Sequence, residues 1–247
     1  MDTDLPERAR KALDRARAKP MSYVARVLRT RDGRVLVVLG EAHVKLALAS
    51  EIGRDVVGAF ELRGVETFQR KAVFLGRLLG FLIQAPRTLL RVVSLGAVKG
   101  STITDAKQLP SGHTVELERS KHVPFGLHVA SAYLTTFLLV SLLAVLAPLY
   151  APFLPWLAAA VVLVALAFEA HMVLLVPAIL LRRYRWCWMI HPLLGILVLR
   201  DELMAAGTIT MLEDHPREHA VVVMGRAHVP GYTRLLEQRG LKPERST

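Results

Sequence analysis

The segment Val37-Val38-Leu39-Gly40-Glu41-Ala42-His43-Val44 is echoed near the other end of the chain by Val222-Val223-Met224-Gly225-Arg226-Ala227-His228-Val229. Each copy reads as a buried β-strand that stops at a glycine, with a histidine three residues later where a helix should begin. The copies are widely separated, so they are not a tandem repeat. A fold that brings both strand ends together would place two imidazoles at one site. Histidine is the commonest metal ligand and the usual general acid or base near neutral pH, so such a site could do chemistry.

Outward from the first copy, residues 23–30 and 34–39 read as two strands joined by an Asp32-Gly33 hairpin turn. The stretch after Gly40 has helical spacing that Gly53 can close as a cap, and residues 55–61 (DVVGAFE) read as the next strand, ending at Glu61. Strand, helix, strand is a βαβ unit, which demands parallel strands and a right-handed crossover. Residues 5–19 hold helix formers and alternating charge but few apolar positions, as a surface helix or arm would. Toward the other end, a polar loop at 213–216 precedes a strand at 220–224, and a helix over 232–239 is capped by Gly240.

Between the two copies the character changes. Residues 123–151 carry no formal charge, and 153–181 are interrupted only by Glu169 and His171. Each run exceeds the roughly 20 residues that a helix needs to cross the hydrocarbon core. The link between them is short and contains Pro148, Pro152 and Pro155, so the pair reads as a transmembrane hairpin. Arg119 and Lys121 precede it, Arg182, Arg183 and Arg185 follow it, and the link is uncharged. The positive-inside rule then puts both flanks, and both termini, in the cytoplasm: a multi-pass membrane protein with two spans.

The flanking apolar segments are of other kinds. Residues 68–98 contain apolar runs broken by Arg70, Lys71, Arg77, Arg87 and Arg91, which suits a pair of basic amphipathic helices on a bilayer surface or ordinary core helices. Residues 186–199 are too short to span and read as a core or interfacial helix. Residues 100–122 are polar, with a turn at Pro110-Ser111-Gly112 and a strand at 114–117. The expected class is α/β with a mostly parallel sheet, interrupted by the inserted hairpin. Its parts are a basic helix or arm (1–20), a first half-domain (21–122), the hairpin (123–181) and a second half-domain (182–247).

Composition agrees with that division. The chain is 53% hydrophobic yet 21% charged, with a net charge of +11, which fits an anionic lipid or nucleic-acid neighbour, the apolar runs favouring the lipid bilayer. No nucleic-acid recognition motif is present, so no nucleic-acid partner is expected. Cys187 is the sole cysteine, which excludes an intrachain disulfide and a multi-cysteine zinc site. Residues 1–20 are charged and lack the apolar core of a signal peptide. Gly76 and Gly80 have the spacing of a small-residue helix contact, and a homo-oligomer stays open.

Side chains at the carboxyl ends of parallel strands face the crevice where α/β folds bind ligands. His43, Glu61 and His228 fall at such ends and form a plausible ligand set for a divalent metal, leaving positions open for water and substrate. Glu41, in the first turn, is a candidate proton acceptor or else an exposed side chain. Glycine at positions 40 and 225 suits a tight strand-to-helix turn. Glu169 and His171 lie within the second span, where ionisable groups are costly; bonding to the first span or to a second copy is the expected role, ahead of a metal or proton site. The serines lack a nucleophile-elbow context.

The segments LGEAHV (39–44), DVVGAFELR (55–63), RDELMAAGTI (200–209) and VVVMGRAHVPGYTRLLEQRG (221–240) resemble the TraB family. That family includes pheromone-shutdown proteins and is related to Tiki-type metalloproteases. The resemblance implies functional roles for Gly40, His43, Glu61, Arg200, Asp201, Gly225 and His228, and it covers less than a third of the chain. Where the family carries an arginine five positions after the glutamate, this chain has Glu66; Arg63, two positions on, is the candidate substitute. The family's middle-region motif is missing from residues 68–122, and the hairpin lies between the matching segments.

These readings converge on a membrane-anchored hydrolase, a peptidase by expectation, acting on a peptide or protein substrate. His43, Glu61 and His228 hold a divalent metal (manganese, cobalt or zinc), and Glu41, Glu61, Arg63, Arg200 and Asp201 serve catalysis. The alternative is a non-catalytic membrane protein that binds or sequesters a hydrophobic signalling peptide. A third reading is a scaffold that has kept the fold without the chemistry.

Overall fold

The computed structural model describes residues 5–42, 45–68, 70–93, 98–99, 102–119 and 122–244. Helix α1 (Glu7–Arg17) leads into strands β1 (Tyr23–Arg29) and β2 (Val35–Glu41). Short β3 (Lys45–Leu46) and helix α2 (Ala47–Gly58) lead to β4 (Leu62–Val65). Helix α3 (Gly76–Val93), β5 (Val98–Lys99), α4 (Thr102–Gln108) and β6 (His113–Glu116) follow. The apolar helices come next: α5 (Phe125–Val145), the short α6 (Ala147–Tyr150), α7 (Pro155–Val173) and α8 (Leu175–Ile179). A 3-10 turn (Arg185–Met189) precedes α9 (Leu193–Asp214), β7 (Ala220–Gly225), α10 (Val229–Gln238) and β8 (Lys242–Pro243).

The chain forms two compact units. One contains Met1–Phe68, Thr88–Ser120 and Asp201–Thr247; the other contains Gln69–Arg87 and Lys121–Arg200. Two of the four boundaries fall inside helices, at 87/88 in α3 and 200/201 in α9, so residues 182–200 group with the apolar helices rather than with the second half of the α/β domain.

The first unit is built on a six-stranded sheet of order β6-β4-β7-β2-β1-β8. The pairs β6–β4, β4–β7 and β7–β2 are parallel, and β2–β1 and β1–β8 are antiparallel. This is a mixed α/β fold with a mostly parallel sheet. Strands β2 and β7 are buried along their whole length. That explains their unbroken apolar runs, because a central parallel strand is covered on both faces. Alternate residues go to opposite cores: Val37, Leu39, Val221 and Val223 pack with Leu13 and Val56, whereas Leu36, Val38, Val222 and Met224 pack with Met204, Met211 and Tyr232. The two copies of the strand motif are direct neighbours, with Leu39 beside Val223, Gly40 beside Met224 and Glu41 beside Gly225. Their glycines are thus one residue out of step.

Two expectations at the start of the chain need correction. The helix after Gly40 does not stop at Gly53; α2 runs on to Gly58 and takes in Asp55-Val56-Val57. Gly53 lies inside the helix, and glycine suits it because a Cβ there would crowd Thr102 Oγ1 and the Tyr23 hydroxyl. The next strand is therefore Leu62–Val65, and Glu61 precedes it instead of ending it. Residues 5–19 do form a helix, but not a merely superficial one. Ala9, Ala12, Leu13 and Ala16 form a buried stripe at helical spacing.

In the second unit, α5 spans 21 residues and the run Pro155–Ile179 spans 25. At the helical rise these are about 32 and 38 Å long, against a hydrocarbon core of about 30 Å. Both are long and apolar enough to cross a membrane. Only 17% and 6% of their apolar windows are buried within the chain, unlike core helices of a water-soluble fold. The start of α9 packs on α5, where a Cβ at Gly195 would lie 3.1 Å from the Gly126 carbonyl oxygen. Residues 68–98, read as a helix pair, hold one long helix, α3, with Pro86 inside it.

Candidate functional site

The carboxyl ends of β2, β4 and β7 lie side by side. A turn follows β7, with the His228 N–H donating to the Gly225 carbonyl (3.0 Å), and His228 occupies the N-cap position of α10. Helix α10 then packs directly over the end of β2. A Cβ on Gly40 would stand 2.3 Å from Val229 Cγ2, so only glycine permits the approach.

His228 is buried and held on both edges of its ring. Its Nδ1 lies 2.6 Å from Asp201 Oδ1, and its Nε2 faces Glu66 Oε1 at 3.7 Å. An ionised carboxylate only accepts, so Nδ1–H donates to Asp201, and Nε2 is the ring nitrogen that faces Glu66. Asp201 is buried on α9 against the first turn of α10, in space that a Cβ on Gly231 would invade (2.0 Å from Oδ2). Glu66 continues the line of β4: its N–H donates to the Val223 carbonyl (2.9 Å), and its Oε2 accepts from the Gly225 N–H (2.5 Å). Three segments distant in sequence thus fix one imidazole and two carboxylates.

Of the residues singled out in the sequence, Asp201, Gly225 and His228 come together, with Gly40 beneath α10. His43 lies outside the described residues. Glu41 is fully buried, and its Oε2 accepts from the Thr102 N–H (2.9 Å) at the start of α4. It is not an exposed side chain; it ties a strand end to a helix end. Glu61 is exposed at the amino end of β4, the wrong end for a crevice residue. The carboxylate at the carboxyl end is Glu66, which sequence reasoning passed over. No sequence signal marked a carboxylate there, since the resembling family has an arginine, of opposite charge, at that position.

Arg63 is also not at this site. Its buried guanidinium donates to the carbonyls of Val57 (3.0 Å), Phe60 (2.9 Å) and Ser111 (2.5 Å), joining the end of α2 to the loop before β6. Burial lowers its pKa, opposed by the nearby Glu61. Arg200 is buried and belongs to the other unit. Among the described residues, no group of three or more His, Cys, Asp or Glu side chains is arranged to hold a metal.

The second unit has a polar cluster of its own. The Tyr133 hydroxyl on α5 is 2.6 Å from His171 Nδ1 on α7, so His171 is bonded to the first apolar helix, while Glu169 is exposed. His191 stacks on His171 with ring centroids 4.6 Å apart. Neither ring nitrogen of His191 has a hydrogen-bond partner among the described residues, although the side chain is fully buried. Burial first, then the His171 imidazole, push its pKa down; the His171 backbone pulls weakly the other way without reaching hydrogen-bond geometry.

Compared with protein-family models, curated proteins and solved structures, the chain matches none.

Proposed function

We propose that the protein is a membrane-anchored, metal-dependent hydrolase of the TraB type, with peptides as its substrate class. The observation that carries this reading is the Asp201–His228–Glu66 arrangement at the carboxyl ends of the parallel strands. A histidine that gives its Nδ1–H to a buried carboxylate and turns Nε2 toward a second one has the habit of a metal ligand. The outer carboxylate fixes ring orientation and raises the basicity of the other nitrogen.

The donors fit a divalent cation. With metal–ligand bonds of about 2.0–2.2 Å, two ligands of one ion lie no more than about 4.4 Å apart; Nε2 and Glu66 Oε1 are 3.7 Å apart. His228 and Glu66 would hold the ion, with His43 of the first motif as the third ligand. Such an ion supplies Lewis acidity at neutral pH. The chain's own contributions are separable. Asp201 keeps His228 in one tautomer, and the Gly225 N–H holds one Glu66 oxygen so that the other is aimed at Nε2. Glu66, at the crevice, takes the ligand place expected of Glu61. The helices α5 and α7–α8, apolar and little buried, support anchoring in a bilayer, and the basic flanks Arg119, Lys121, Arg182, Arg183 and Arg185 favour the cytoplasmic side for both ends of the hairpin.

The test is metal content per chain by mass spectrometry in detergent-purified wild type, His43→Ala, Glu66→Gln and His228→Ala. Peptide-library digests read by the same method would follow. Near-stoichiometric metal lost in all three variants, with cleavage lost alongside, is the expected result. No metal in wild type after add-back, together with intact peptides, overturns the proposal.

A further inference from the structure

We infer that α3 is a second membrane contact: it lies along an anionic bilayer surface, with its outward apolar stripe at the level of the lipid headgroups. The inference rests on reading α5 and α7–α8 as membrane spans. Helix α3 has two apolar faces. Gly76, Leu79 and Gly80 make the buried one. The other is unpartnered: Leu78, Phe81 and Leu89 recur at helical spacing on one side, and Phe81 and Leu89 are each 65% exposed. Phe74, just before the helix, is 63% exposed. These four side chains facing water would make a large apolar patch for a soluble protein.

Charge chooses the occupant. Residues 69–98 carry Arg70, Lys71, Arg77, Arg87 and Arg91 and no acidic residue, and Lys71 and Arg77 are exposed. An exposed apolar stripe in a segment that carries five cations and no anion matches the boundary between acyl chains and anionic headgroups. The position is also right. The Phe74 N–H donates to His128 Nδ1 (3.2 Å), and His128 lies in the first turn of α5. The segment leading into α3 is thereby tied to the end of an apolar helix, where a span leaves the hydrocarbon. Its sequence flank there is basic, as expected on the side of an anionic leaflet.

The test uses the full chain in nanodiscs of phosphatidylcholine with or without phosphatidylglycerol. Single cysteines at positions 81, 143 and 108 (F81C, L143C and Q108C) carry an environment-sensitive nitrobenzoxadiazole label, in backgrounds that either keep the buried Cys187 or replace it by alanine. Quenching by brominated lipid and by aqueous iodide is compared. Position 143, exposed on α5, reports the span, and Gln108 on α4 reports water. The expected result is lipid quenching at 81 that strengthens with phosphatidylglycerol. It should shrink on K71E/R77E, since each basic side chain at the leaflet shifts the docked ratio by about fivefold. If 143 is lipid-quenched while 81 is open to iodide, or 81 responds equally in both lipids, the inference about α3 falls alone. If 143 is open to iodide as well, the spanning reading falls with it.

Discussion

Asp201 Oδ1 lies 2.6 Å from His228 Nδ1, and both side chains are buried. The contact joins α9 to the N-cap residue of α10, and Gly231 leaves the room for it. A carboxylate so placed accepts from Nδ1–H and has little freedom to do otherwise. Replacing it by Asn keeps the volume but removes the charge that fixes the tautomer. Asp201→Asn is expected to weaken metal binding by about 10–100-fold, the usual penalty for losing such a partner. Gly231→Ala should act in the same direction, because its Cβ would displace Oδ2. Competition with a chelator measures both; unchanged affinity in Asp201→Asn would mean that the pair is only structural.

Glu66 and Glu61 separate the observed site from the one expected of the sequence. Glu66→Gln keeps an acceptor for the Gly225 N–H but loses the charge facing Nε2. It should lower metal affinity at least about tenfold, the low end of the loss seen when even an outer partner of a ligand is removed. Glu61→Gln, at an exposed position, should leave occupancy alone and move stability by no more than about 0.5 kcal/mol. The reverse pattern would restore Glu61 to the site.

Arg63 is expected to be a stability residue. Arg63→Met leaves buried carbonyls of Val57, Phe60 and Ser111 without their donor. The cost should be about 3–5 kcal/mol, read as a lowered Tm in detergent. Metal bound per folded molecule should be unchanged. A variant that kept its Tm but lost metal would return Arg63 to the chemistry.

The sheet's centre was legible because its signals are long and agree with one another. The Asp32-Gly33 turn gave the β1–β2 hairpin, and the matching runs at 37–40 and 222–225 are continuous apolar strands, as two-sided burial demands. The hairpin helices were legible from length and lack of charge alone. The segment DVVGAFELRGVE was not, for a physical reason. Val56 and Val57 are buried from the last turns of α2, while Leu62 and Val65 are buried from a strand. A short apolar run satisfies either period. Closing the helix five residues too early, at Gly53 instead of Gly58, turned Glu61 into a strand end and hid Glu66. Glu41 shows another limit, since a buried carboxylate that receives the N–H of Thr102 has a partner remote in sequence.

His191 gives the protein an acid sensitivity with a definite sign. Its pKa in the folded chain is depressed below the ordinary 6.5 by burial and by the His171 imidazole. The unfolded chain therefore binds more protons than the folded one as pH falls below about 6.5, and linkage makes the folded state lose stability in that direction. Above that pH the imidazole is neutral in both states and the contribution is flat. One such group can change stability by at most about 1.4 kcal/mol per pH unit. Thermal unfolding in detergent should thus show Tm falling from neutral pH toward mildly acidic pH, above the range where carboxylates protonate. His191→Leu should flatten that slope. It should also be neutral or stabilising at neutral pH, because two buried ring nitrogens without partners are removed, each with a desolvation cost of about 1–3 kcal/mol. A variant that keeps the wild-type slope would show that another group titrates there. A variant that is strongly destabilised at neutral pH would show that His191 has a bonding partner outside the described residues.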